Sequence, residues 1–121
     1  MKIAFTSSGK SLSAPLEGRF GRAPKIIVFD TETESTEVLD NRAGTEAAQG
    51  AGTQTAEKLA RLGAERVVTG HCGPKAFRVL QAAGIQVFTS ESTTVAEALH
   101  ALQSGRLTAL QAADVEGPWG Q

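Results

Sequence analysis

The feature that most constrains the fold is a strand that turns directly into a helix and is followed by another strand. The β-branched run Val67–Thr69 ends at Gly70, and Gly73 and Pro74 lead into an apolar helical pattern. Proline suits the first turn of a helix, because its missing N–H would have no partner there. A second apolar strand, Ile85–Phe88, follows the helix. Strands joined by a helix pair in parallel through a right-handed crossover, so this unit predicts an α/β sheet with a parallel part.

The remaining elements follow from short apolar runs and from helical spacing. Three further strands are predicted over residues 2–6, 25–30 and 36–40, and the strand that contains Val67–Thr69 is predicted over residues 65–69. A polar linker is predicted over residues 41–50. A helix is predicted over residues 50–62, and the capping box Thr94-Val95-Ala96-Glu97 opens another that Gly105 ends. The order β-β-β-α-β-α-β-α predicts a five-stranded mixed sheet flanked by about three helices. We expect strand one in the centre, between strands two and four, in a single domain of residues 1–121.

Composition excludes several classes of function. The formal net charge of −1 gives no electrostatic footprint for nucleic acid or for an anionic membrane. No apolar run approaches the roughly 18 residues of a membrane span, and the N-terminus leads directly into a strand pattern. The chain has one cysteine, which cannot form an intramolecular disulfide and is typical of a reducing compartment. We therefore expect a cytoplasmic protein with neither nucleic acid nor membrane as its partner.

Ligands in open α/β sheets bind beyond the carboxyl ends of the strands. Two loops would line that edge here: residues 7–22 after the first strand and residues 70–74 after the fourth. The first loop ends in two arginines with glycine neighbours, which let a ligand approach the backbone closely. The second carries a histidine, the only cysteine and a helix start with free N–H groups. The predicted cofactor-binding residues are Arg19, Arg22, His71, Cys72, Gly73 and Lys75.

His71 and Cys72 are the candidate metal ligands, since imidazole and thiolate bind soft and borderline metals. Two adjacent ligands do not enclose a bare ion, because a structural zinc site needs a full tetrahedral set. They suit a preformed, anionic metal–sulfide cluster whose own sulfides supply most of the coordination. The alternative is that Cys72 is a small buried hydrophobe, His71 an ordinary turn residue and the arginine pair a solvated turn with Phe20 in the core.

A second function class follows from the literal pattern His-Cys-x5-Arg at residues 71–78, the signature of thiol phosphatases. There, backbone N–H groups and the arginine bind phosphate while a thiolate attacks. Pro74 begins the helix only two residues after Cys72, which leaves no room for the phosphate cradle, and Val79 stands where the signature has a hydroxyl. A Cys-dependent phosphatase or sulfurtransferase is therefore the alternative hypothesis. A regulatory or scaffold domain is a third.

Several segments, in this order and at these spacings, resemble the dinitrogenase iron–molybdenum cofactor-binding family. They are Arg19-Phe20-Gly21-Arg22-Ala23-Pro24, Gly50-Ala51-Gly52-Thr53-Gln54, Thr69-Gly70 with Gly73-Pro74-Lys75-Ala76-Phe77, Ala82-Ala83-Gly84-Ile85, the helix start at Thr94, and Gly117-Pro118-Trp119-Gly120. The resemblance implies a ribonuclease-H-like α/β fold without implying nuclease activity. It also implies a non-enzymatic carrier of a molybdenum-containing sulfide cluster, either Mo–Cu–S or Fe–Mo–S, with partner proteins that deliver or receive it. Residue by residue, the resemblance carries over to the site only the Arg19–Arg22 segment and the Gly-x-x-Gly-Pro loop at Gly70–Pro74. The two middle positions of that loop, His71 and Cys72, look variable in the family, so their ligand roles are inferred from their chemistry.

Overall fold

The computed structural model describes residues 1–41, 51–91 and 93–112. Within these ranges five strands form one sheet, accompanied by three α-helices and a short 3-10 turn. The strands are β1 Lys2–Ser7, β2 Lys25–Asp30, β3 Thr36–Asp40, β4 Arg66–Thr69 and β5 Gln86–Thr89. The helices are α1 Ala51–Leu62, α2 Pro74–Ala82 and α3 Val95–Gln103, and the 3-10 turn is Phe20–Arg22.

The strand order across the sheet is β3-β2-β1-β4-β5. β1 pairs antiparallel with β2 and parallel with β4, while β3 extends the antiparallel side and β5 the parallel side. This confirms the predicted five-stranded mixed sheet with strand one in the centre and about three helices around it. The ribonuclease-H-like name that the family resemblance implies stays a prediction.

Two apolar clusters lie on opposite faces of the sheet, because successive side chains of a strand point to opposite sides. On one face Ile26 and Val28 pack with Leu59 of α1 and Leu80 of α2. On the other face Ile27, Phe29 and Phe5 pack with residues of α3. The strands are therefore sandwiched between helix layers. None of the helices in the described ranges is both long and apolar enough to cross a membrane.

The helix starts follow the predicted chemistry. α2 begins at Pro74, and its N-cap Gly73 has an extended backbone and makes no side-chain capping hydrogen bond. α3 begins after Thr94, whose hydroxyl accepts the Glu97 N–H at 3.2 Å while the Glu97 carboxylate accepts the Thr94 N–H at 3.0 Å. The predicted start of α1 at Gly50 lies outside the described residues, within which the helix begins at Ala51.

Asn41, the first residue of the predicted polar linker, follows β3 and belongs to no strand or helix. Asn41 is completely buried, and its side-chain amide is hydrogen-bonded to the Ala23 carbonyl and the Thr55 hydroxyl. An amide can leave solvent only when its donors and acceptor find partners, and here the Ala23 carbonyl and the Thr55 hydroxyl of α1 supply them. The rest of that predicted linker, residues 42–50, and the segment around Trp119 lie outside the described residues.

Candidate functional site

The two loops that were predicted to form a crevice meet above the carboxyl ends of β1 and β4. These strands are parallel neighbours, so both end at the same edge of the sheet. The buried hydroxyls of Thr6 and Thr69 lie 2.8 Å apart, and the Thr6 hydroxyl is also 3.2 Å from the Glu17 carbonyl oxygen. The Thr6 carbonyl in turn accepts the Glu17 N–H at 2.9 Å. These bonds fix the 7–22 loop onto the strand ends.

A glycine-to-glycine contact brings the second loop against the first. The Gly70 N–H donates to the Glu17 carbonyl at 3.2 Å. A Cβ on Gly70 would lie 2.5 Å from the Gly18 carbonyl oxygen and 2.6 Å from its Cα, a separation that real Cβ atoms essentially never show. Any side chain at position 70 would therefore force the two loops apart.

One residue further along, the loops pair as a short parallel bridge between Arg19 and His71. The Phe20 N–H donates to the His71 carbonyl at 3.0 Å, and the Phe20 ring is buried in the core. The backbone thereby places an arginine beside a histidine on the two halves of the predicted crevice. The following turn closes with the Arg22 N–H donating to the Arg19 carbonyl at 3.2 Å.

Four of the six residues predicted to bind a cofactor have exposed side chains: Arg19, Arg22, His71 and Lys75. Gly73 is buried at the start of α2, whose first N–H groups have no partner within the helix. Two arginines and a lysine therefore stand near one edge, with Glu17 as a half-buried carboxylate that accepts the Gly18 N–H at 3.0 Å. We call the exposed side chains of Arg19, Arg22, His71 and Lys75 the rim. A rim of this composition favours an anionic ligand.

The sixth residue, Cys72, has no exposed surface. It belongs to the apolar cluster that contains Phe20, Ala76 and Phe77, and its Sγ lies 3.7 Å from the Gly73 carbonyl oxygen. In this arrangement the thiol is packed beneath the loop and is not presented to a substrate above it. The geometry thus supports the core interpretation of Cys72 and gives no support to a thiol enzyme.

Within the described ranges, no group of three or more His, Cys, Asp or Glu side chains is placed to hold a metal ion. From these described residues, a ligand containing metal would receive at most a few ligating side chains. This limit distinguishes a preformed cluster from a bare ion.

Two residues that shape this edge have roles that sequence reasoning did not give them. Gly18 was predicted, as a neighbour of Arg19, to let a ligand approach the backbone, and the structure places Gly70 against it. Asn41 follows a strand, where asparagine usually indicates a turn, yet its Nδ2 donates to the Ala23 carbonyl at 2.8 Å. No local pattern distinguishes such an asparagine from a solvated one.

A mixed sheet whose parallel strands end beneath a glycine- and arginine-rich rim defines a small α/β protein with a candidate anion-binding edge. The chain belongs to the family whose model is described as "Dinitrogenase iron-molybdenum cofactor", which matches residues 1–105.

The chain is similar to two solved structures and to one further sequence relative. The apo form of the orange protein from Desulfovibrio gigas is 38% identical, with a TM-score of 0.91 over 94% of this chain and 96% of that one. A putative NifB protein from Thermotoga is also 38% identical, with a TM-score of 0.83 over 96% and 98% of the two chains. An uncharacterized protein from Methanocaldococcus jannaschii is 29% identical over 110 residues, 88% of this chain and 89% of its own.

Proposed function

We propose that this protein is a carrier, not an enzyme, that reversibly binds a preformed anionic molybdenum-containing sulfide cluster at the carboxyl edge of its sheet. The observation that carries the proposal is the pairing of Arg19 with His71, which the contact between Gly18 and Gly70 enforces. It brings exposed cationic and imidazole side chains from two distant loops to one edge. Membership of the iron–molybdenum cofactor family supplies the class of ligand.

The chemistry of the rim fits a cluster better than a bare ion. A metal–sulfide cluster carries its own sulfide ligands and a net negative charge, so it needs counter-charges and N–H donors more than a full set of protein ligands. Arg19, Arg22 and Lys75 supply the charge, and the N–H groups at the start of α2 after Gly73 supply donors. The exposed imidazole of His71 is the candidate direct ligand.

Cys72 has a different part in this proposal. Its buried side chain belongs to the same apolar cluster as Phe20 and Phe77 and so anchors the loop that carries His71 to the core. Direct ligation by the thiol, which the sequence suggested, would require this loop to open. A Cys72→Ala variant separates the two roles, because only ligation changes the spectrum of a bound cluster.

The cluster is of the Mo–Cu–S or the Fe–Mo–S type, and a carrier of either implies partner proteins that deliver it or receive it. The name of the orange protein, a structural relative at 38% identity, fits a coloured cargo. The single cysteine fits a reducing cytoplasm, and the ribonuclease-H-like name fits the observed sheet.

Reconstitution tests the proposal directly. Apo-protein is incubated anaerobically with tetrathiomolybdate and cuprous ion, and in parallel with an isolated iron–molybdenum cluster, and is then passed through gel filtration. We expect a stoichiometric visible chromophore with one of the two, and the same metals in protein purified anaerobically from its source. Protein that emerges colourless and metal-free from both incubations would contradict a carrier function.

A further inference from the structure

Asn41 is a buried amide that joins three segments. It follows β3 directly, and its backbone N–H donates to the Pro24 carbonyl at 2.8 Å. Its Nδ2 lies 2.8 Å from the Ala23 carbonyl oxygen and 3.0 Å from the hydroxyl of Thr55, which also lies 3.2 Å from the Asn41 Oδ1. Both atoms of the amide therefore have partners, and neither reaches solvent.

One of these segments carries part of the candidate site. Ala23 directly follows the 3-10 turn that ends with Arg22, and Thr55 lies near the start of α1. The turn packs against α1 and is bonded at its other end to the loop of His71 through Phe20. Asn41 thus holds the far end of a turn whose near end is held by the second loop.

A three-residue 3-10 turn has little stability of its own, since so short a helix makes few internal hydrogen bonds; one of them runs from the Arg22 N–H to the Arg19 carbonyl. The position of Arg22 must therefore come from the contacts around the turn. On the buried side of Ala23, that contact is the Asn41 amide. Aspartate in its place would direct an acceptor at a carbonyl oxygen and leave both groups unsatisfied.

We infer that Asn41, with Thr55, is a positioning residue for the arginine-bearing turn and so for cluster binding. The effect on cluster binding rests on the proposed function. The effect on the turn rests on geometry alone. Asn41 touches no ligand itself, because it is completely buried. It acts through the Ala23 carbonyl and the first turns of α1.

The test uses substitutions that remove the link and others that keep it. Asn41→Ala and Thr55→Val remove hydrogen bonds, whereas Thr55→Ser keeps the hydroxyl. Leu102→Ala is the control. Leu102 packs in the cluster on the opposite face of the sheet, so its truncation should destabilise the protein without touching the turn. Amide hydrogen exchange at Arg22 and the dissociation constant for tetrathiomolybdate with cuprous ion are measured for each.

We expect exchange at Arg22 to accelerate by about tenfold in Asn41→Ala and Thr55→Val, the effect of one lost hydrogen bond. The dissociation constant should rise by a similar factor of about ten in these two variants. Thr55→Ser and Leu102→Ala should show the wild-type dissociation constant. They should also show the wild-type exchange rate at Arg22 once the rates are compared at equal global stability.

Any other outcome contradicts either this inference or the proposed function. Unchanged exchange at Arg22 in Asn41→Ala shows that Asn41 does not hold the turn. Faster exchange with an affinity no weaker than that of Leu102→Ala shows that the turn does not govern binding. A wild-type protein that binds no cluster defeats the proposed function, and the exchange data then decide the positioning of the turn by themselves.

Discussion

Gly18 and Gly70 lie in backbone contact, and the contact is one-sided. A Cβ on Gly70 would fall 2.5 Å from the Gly18 carbonyl oxygen, whereas a Cβ on Gly18 meets nothing within 4 Å. The loop after β4 therefore needs glycine at position 70, while the loop after β1 contributes only its backbone. This contact sets how closely Arg19 approaches His71.

Gly70→Ala should destabilise the protein and loosen the crevice, because backbone atoms cannot yield as a side-chain tip can. We expect a loss of about 1–3 kcal/mol in the free energy of unfolding, the usual cost of overpacking. Urea denaturation measures it, and Gly18→Ala is the matched control, with an expected change within about 0.5 kcal/mol. Equal stabilities for the two variants would refute the asymmetry.

Removing exposed cations from the rim should weaken cluster binding. Arg19→Ala, Arg22→Ala and Lys75→Ala should each lower the binding free energy by up to about 1 kcal/mol, the range of solvent-exposed charge interactions. The losses should shrink as salt is added, because exposed charges are screened. Titration of tetrathiomolybdate and cuprous ion at low and high ionic strength measures both effects.

Arg61→Ala is the control for these variants. Arg61 is an exposed cation in the last turn of α1, at the opposite end of the helix from the end near the 3-10 turn. It should change binding little. An equal loss of binding free energy for Arg61→Ala would show that net charge, and not the position of the rim cations, governs binding.

Cys72→Ala should leave the spectrum of the bound cluster unchanged, since the thiol is packed in the core and not exposed in the crevice. The lost sulfur should cost about 1 kcal/mol of stability through a small cavity. The wild-type thiol should react slowly with a thiol reagent until the protein unfolds. Neither an aryl phosphate nor thiosulfate should be turned over.

A folded Cys72→Ala protein with a lost or shifted chromophore would establish the thiol as a ligand. Turnover that disappears in Cys72→Ser would instead restore the phosphatase or sulfurtransferase hypothesis. Circular dichroism of both variants shows that they retain the native fold.

The capping box of α3 should make stability depend on pH. Hydrogen bonds from the Thr93 hydroxyl and then from the Thr94 hydroxyl and N–H hold the pKa of Glu97 below its ordinary value of 4.5. Because the folded pKa is lowered, the contribution is present above the ordinary pKa and is lost as pH falls through the folded pKa. Glu97→Gln should therefore be less stable than the wild type at neutral pH, and the difference should shrink in acid.

Urea denaturation across this acid range measures the difference. Glu57→Gln is the matched control, since Glu57 is an exposed carboxylate on α1 outside any capping box. A stability difference for Glu97→Gln that stays constant from neutral to acid pH would contradict the capping role.

The arrangement of elements was predictable because local spacing encodes it. The apolar run at Lys25–Asp30 indicates a buried strand, and Gly73-Pro74 marks the start of α2. The capping box at Thr94 marks the start of α3. The crossover rule then fixes β4 and β5 as parallel, and the sheet order follows with β1 in the centre.

By itself, the sequence determined the sheet, its helices, the family and the two loops that line one edge. Only the tertiary structure showed that Gly70 contacts Gly18, that Cys72 is buried in the apolar core and that the buried Asn41 bonds to the end of the arginine turn. Periodicity reports which face of an element an individual residue occupies, and it carries no record of what approaches that face from elsewhere in the chain. Contacts between distant loops depend on how the layers pack, and they exist only once the chain is folded.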